Sequence, residues 1–180
     1  MAGFTFVKNL SGSHTGLDSL NDSFIIANSE TIYKGAIVKL SSSFINAATA
    51  THRVFGLVKG VVTPNGVPID NADSTEYDGT ITAGGVGVGN YAASADNETD
   101  KQIRALVKIL QPGDIVSGTT DGTFGTNNSD TPGYYTDLIT SILVDEDSAS
   151  GSDGQLFIYM SDPNNSSNMY YIPCELQTVR

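Results

Sequence analysis

The stretch YKGAIVKLSSSFINAATATHRVFGLVKG, residues 33–60, holds two apolar runs of strand length on either side of a polar middle. KGAIVKL starts at a glycine turn, SSSFINAATAT alternates weakly and loops outward, and HRVFGLVKGVV returns as a second apolar strand. Gly56 and Gly60 in that return suit bulges or tight corners. The pair reads as one compact β unit. The rest of the chain is built alike. FIIA, IRALVKIL, DIVSG, YYTDLITSILV, QLFIYM and MYYIPCEL are short, rich in Val, Ile, Tyr and Phe, and bounded by Gly, Pro, Asn, Asp or Ser. No segment carries a sustained helical period. TDKQIRALVKIL would place Lys101, Arg104 and Lys108 on one polar face of a helix, but it runs straight into QPGD and reads better as a partly buried strand. The sequence therefore predicts an all-β protein, a small barrel or sandwich with long polar loops.

Composition agrees. Charged residues make up 16% of the 180-residue chain, below the roughly 25% of ordinary soluble domains, and Gly, Ser, Thr, Asn and Asp take their place. Nine Lys and Arg against twenty Asp and Glu leave a net charge of −11. A surface of that sign repels phosphate backbones and anionic lipid, which argues against nucleic acid and membrane partners. The lone Cys174 has no internal disulfide partner and sits in the apolar run YYIPCEL, where a small buried hydrophobe is expected. No apolar run approaches the roughly 20 residues of a membrane span, and MAGFTFVKNLSGSHTG has no signal-peptide pattern. The expectation is a soluble protein made in a reducing cytoplasm.

Before the strand series, Phe4, Phe6 and Val7 stand at near-alternate spacing ahead of a Ser, Gly, Asn and Asp tract. That predicts an extended arm over residues 1–22 with an apolar tip, followed by a β domain over residues 23–180. YKGAIVKL at residues 33–40 finds a loose echo in QPGDIVSG at residues 111–118, with Gly two positions before Ile-Val in both.

Residues 30–62 also resemble the small β-barrel unit of bacteriophage capsid decoration, or cement, proteins. Their theme is a G-D-x-V strand start, an A-T-x-T/D loop and a V-x-G-V/L return. The matching positions are Gly35, Ile37 and Val38; then Ala48, Thr49 and Thr51; then Val54, Gly56, Leu57 and Val58. Ala36 stands where an acidic residue is common, and residues 63–100 have no counterpart in the theme. The resemblance implies a structural virion protein on the outer capsid surface that stabilises contacts between capsomers, with the major capsid protein and itself, as a homotrimer, for partners. Phe4, Phe6 and Val7 would then be the capsid-binding residues.

Nothing in the chain points to catalysis. His14 and His52 lie near no nucleophile motif such as G-x-S-x-G, and AGGVGVGNY at residues 83–91 lacks the G-x-G-x-x-G spacing of a dinucleotide loop. Two acidic clusters, Asp70, Asp73, Glu76 and Asp78, and Asp145, Glu146, Asp147 and Asp153, miss the EF-hand spacing and read as solvated turns. No cofactor or metal is expected. The alternative to a capsid role is a head-fibre or host-surface module stacking glycans on Tyr134 and Tyr135; Tyr170 and Tyr171 form a second such pair.

Overall fold

A computed structural model describes residues 3–10, 21–69, 80–82, 90–120, 132–150, 154–161 and 168–177. The chain is all-β. Its strands are β1 (Thr5–Asn9), β2 (Asn21–Ile25), β3 (Thr31–Tyr33), β4 (Ile37–Ser41), β5 (Phe44–Ala47), β6 (Gly56–Val62), β7 (Thr80–Thr82), β8 (Asn90–Ala92), β9 (Arg104–Ile109), β10 (Asp114–Thr119), β11 (Tyr135–Thr140), β12 (Leu143–Ser150), β13 (Leu156–Ser161) and β14 (Asn168–Pro173). TDKQIRALVKIL splits: Arg104–Ile109 is a strand, as its apolar spacing predicts, while Asn97–Lys101 closes one turn of π-helix that the sequence does not announce. The Asn97 side chain holds that turn from inside, donating to Ile26 O (2.6 Å) and Ile103 O (3.1 Å) and accepting from Ile103 N (3.0 Å).

The strands form antiparallel sheets ordered β1-β10-β14-β13-β11-β12, β2-β9-β6-β4-β5 and β3-β8-β7. None closes into a barrel, which corrects the barrel alternative. The five-stranded sheet curls until its edges touch at a single parallel bridge, Ile26 to Ile45, too little to make a ladder.

The two large sheets repeat one design. Numbering the strands of each in chain order, β2, β4, β5, β6, β9 and β10, β11, β12, β13, β14 both lie in the order first, fifth, fourth, second, third. Register repeats as well. On the fourth strand the ladder skips one residue, Val58 to Gly60 in one unit and Ile158 to Met160 in the other. Before the second strand, Gly35 (φ +82°) and Gly133 (φ +104°) each turn the chain and donate to Val58 O and Ile158 O, both at 2.9 Å. The edges of the second unit meet at Thr120 and Val144, as Ile26 and Ile45 do in the first. The repeat is therefore real, but the echo at residues 111–118 misplaces it. Gly113 precedes the first strand of its unit, and the counterpart of Gly35 is Gly133 in TPGYY. Residues 63–100 belong to the connection between the fourth and fifth strands of unit one, where β8 pairs with β3 and β7 to make the small sheet.

Burial explains why residues 33–60 read as continuous apolar runs. β4 and β6 are covered on both faces, so alternation is lost. Val38 and Val58 face a first core with Ile26, Ile32, Ile45, Phe55, Tyr91 and Val107. Ile37 and Leu57 face a second core with Val54, Val116, Leu138, Leu156, Ile158 and Tyr171. The units thus share a wall. Ala36 is fully buried in the first core, where a carboxylate would have no solvent.

Candidate functional site

The segment before unit one completes unit two. β1 pairs antiparallel with β10, Thr5 opposite Ser117 and Asn9 opposite Asp114. Its ends are pinned by the two glycine turns: Phe4 N donates to Gly35 O at 2.7 Å and Leu10 N to Gly113 O at 2.9 Å. Phe4 is 3% exposed. Its ring lies over Gly118, where a Cβ would come within 2.4 Å of Cδ1 and Cε1, and meets Tyr171 edge-on at 6.3 Å and 70°. The expected arm is thus a strand over residues 5–9 with its first aromatic in the core; residues 11–20, including His14, lie outside the described residues. Phe6 is half-buried, with Lys108 Nζ 4.0 Å from its ring centroid. Val7 is the bulged residue between the pairs Phe6–Val116 and Lys8–Ile115, and it alone of the three stays exposed, at 41%.

An ion pair lies beneath this strand. Lys108 Nζ sits 3.5 Å from Asp114 Oδ2, both side chains buried. Asp114 also accepts from Asn9 Nδ2 (2.8 Å) and Gln111 N (3.0 Å). Burying two charges is tolerable only with such company, and the cluster joins β1, β9 and β10. A helix would have left Lys108 on a polar face; in the strand it turns inward, and its partner is six residues on, across the turn between the units.

The segment after unit two returns to unit one. Val54 N donates to Glu175 O and Gln177 N to Val54 O, both at 2.7 Å, while the Gln177 side chain accepts from Leu40 N at 2.8 Å. Between the units the buried amide of Gln155 accepts from Leu138 N (2.9 Å) and donates to Thr49 O (2.8 Å) and to His52 O. The flanking segments are therefore crossed, each strapped to the far unit.

Tyr134 and Tyr135 do not form one platform. Tyr135 pairs with Phe157 across the strands, rings 5.3 Å apart at 64°, on the outward row. Tyr134 is 37% exposed at the position that Ala36 holds on the inward side of unit one. Tyr171 is buried in the second core. Cys174 is exposed, contrary to the expectation from its apolar run, because alternation sends Tyr171 and Pro173 inward and leaves Ile172 and Cys174 outward. Desolvation of its thiol, with Glu175 beside it, raises its pKa. His52 Nε2 lies 2.8 Å from Lys39 Nζ and its Nδ1 3.1 Å from Thr49 Oγ1; burial first and the Lys39 ammonium second lower its pKa. These contacts tie the loop of residues 49–52 to β4.

Among the described residues no three His, Cys, Asp or Glu side chains converge on a metal-sized site, and no helix is long and apolar enough to cross a membrane. Residues 70–78 and 83–89 lie outside the described residues; of the second acidic cluster only Asp145 has a described side chain. No protein-family model, no curated protein and no solved structure matches the chain.

Proposed function

We propose that this chain is a structural virion protein that binds the outer surface of a phage capsid and stabilises contacts between capsomers. The observation that carries the reading is the crossed strapping. A subunit that bridges a joint under outward pressure is loaded through its points of attachment. Here a load on either flanking segment is shared by both units, because β1 is laddered to β10 and residues 175–177 to Val54 and Leu40. The glycine turns and the residue 48–58 pattern described above add the family resemblance.

The partner is the major capsid protein. With Phe4 sealed in the core, the contact falls to the exposed end of β1, where Val7 and Leu10 are 41% and 49% exposed. Contact through apolar side chains and hydrogen bonds suits a chain of net charge −11, which gains little from general attraction to a shell that is often acidic itself.

The test is genome release against temperature for virions with and without the protein. Complete particles should hold DNA to a higher temperature, and Val7→Asp should lower occupancy while leaving the melting of the free protein unchanged. Coincident release curves at full occupancy would refute the stabilising role.

A further inference from the structure

The cluster beneath β1 brings together more than an ion pair needs. Lys108, Asp114 and Asn9 are 2%, 1% and 6% exposed, so an amine, a carboxylate and a primary amide meet away from water. The carboxylate stands between the other two. Its Oδ2 lies 3.5 Å from Lys108 Nζ, and its Oδ1 accepts from Asn9 Nδ2 at 2.8 Å. Gln111 N donates to Oδ2 at 3.0 Å, and Pro112 O accepts from Asn9 Nδ2 at 3.2 Å, so the turn between the units fixes both the carboxylate and the amide. The Phe6 ring covers the amine at 4.0 Å. At 3.5 Å the ion pair is longer than the roughly 2.7–2.9 Å of a charge-assisted hydrogen bond. Asp114 makes its shorter contacts with the amide and the turn.

We infer that Lys108 and Asn9 join in an amide bond after folding, with Asp114 as acid and base, and that this bond ties β1 covalently to β9. Desolvation and an adjacent base are what make a lysine amine a nucleophile. A carboxylate that faces both the amine and the leaving group is placed to move protons between them, over contacts that commonly tighten only as a reaction proceeds. Asp114 takes a proton from Lys108. Nζ then adds to Asn9 Cγ, and the Cγ–Nδ2 bond breaks as Asp114 returns the proton to Nδ2. Of the two protons that Lys108 gives up, one completes ammonia and the other leaves with it as ammonium, so Asp114 ends as the carboxylate it began. The balance closes on these three side chains alone. Nζ reaches Cγ by moving along the carboxylate from Oδ2 toward Oδ1, so the freshly folded chain carries the ion pair and the bond forms afterwards.

The product is a brace. β1 is already laddered to β10 of unit two, and the bond fastens it to β9 of unit one as well. This holds whether or not the chain sits on a capsid.

The test is the intact mass of the full chain, followed over time at neutral pH. Folded wild-type protein should settle about 17 Da below the mass of its sequence, the loss of one ammonia, while Asn9→Ala and Asp114→Asn keep theirs. Trypsin then locates the loss: residues 9–34 should appear joined to residues 105–180, with Lys108 uncut. Folded wild-type protein that keeps its full mass overturns the inference. So does a loss carried by an unlinked peptide, as a succinimide in the exposed Asn65–Gly66 turn would give, and so does a loss of water that links residue 108 to residue 114. A folded Asp114→Asn chain that loses ammonia as fast as wild type overturns the part given to Asp114. If either variant fails to fold, the wild-type mass and the linked peptide decide.

Discussion

Phe4 over Gly118 offers a direct test of the crossed strapping. Phe4→Ala removes a ring that is 3% exposed and edge-on to Tyr171. Truncations of this kind cost about 3–5 kcal/mol. At about 2–4 °C per kcal/mol for a chain of this size, the midpoint should fall by about 6–20 °C. Gly118→Ala in the wild-type background forces a methyl to 2.4 Å from the ring and should cost about 1–3 kcal/mol by overpacking. In the Phe4→Ala background the same methyl enters vacated space and reduces unfolded-state freedom, so it should be neutral or stabilising by up to about 1 kcal/mol. The coupling energy from urea midpoints of the four proteins should therefore be on the order of 2 kcal/mol. Independent sites add to within about 0.5 kcal/mol; additivity at that level would mean that Phe4 does not occupy the second core in solution. For the same reason deletion of residues 1–10 should destabilise unit two, rather than merely weaken attachment as a free arm would.

Asp114→Ala leaves the Lys108 ammonium buried without its partner and should cost about 3–5 kcal/mol, whereas the double variant Lys108→Met/Asp114→Asn should recover most of that in the same denaturant titration. His52, with its folded pKa below the unfolded one, means that the unfolded chain binds more protons; this stability is full above about pH 6.5 and is lost as pH falls through the folded pKa. Between about pH 7.5 and about pH 5 the wild type should therefore lose more stability than His52→Gln, and equal losses would remove His52 from the account.

Strands are legible in this sequence because their signals are local. Residues 33–60 show two apolar runs bounded by turn residues, and β4 and β6 lie there. What is not legible depends on partners distant in sequence. Phe4, Phe6 and Val7 have strand spacing, but the strand they pair with is more than a hundred residues on, so the segment has the signature of an arm. Lys108 has the signature of a solvated residue because Asp114 becomes its partner only once the chain has turned at Gly113. Cys174 has that of a buried one because MYYIPCEL is apolar throughout; only pairing with β13 decides which alternate residues face inward. The Tyr135 row is half visible: the tyrosine pair stands out in the sequence, while Phe157 and Ile172, which give the row its extent, lie 22 and 37 residues away and join it only by register.

The duplication is hidden in the sequence for a further reason: matching positions of the two units carry side chains of different size. Register sets Phe24, Gly56 and Val107 of unit one against Gly118, Leu156 and Tyr171 of unit two. The side chain shrinks from Phe24 to Gly118 and grows from Gly56 to Leu156 and from Val107 to Tyr171. In unit one, Gly56 has no room for a Cβ because Val107 Cγ1 would lie 2.3 Å away, and Phe24 fills the neighbouring space edge-on to Phe55 at 5.1 Å. In unit two, Leu156 and Tyr171 are larger, and the position of Phe24 is the bare Gly118. That exchange leaves one ring to be supplied at Gly118, and β1 supplies Phe4. Cores tolerate redistributed volume if the total and the pattern are kept, so residue identity can fade while strand order, bulge and glycine turn persist. The N-terminal strand is then the adjustment that makes the second packing close: unit two lacks an aromatic of its own there and takes one from the segment that precedes unit one. A chain built this way cannot be divided between residues 110 and 114 into two independent halves, because each half holds a part of the other's core or edge.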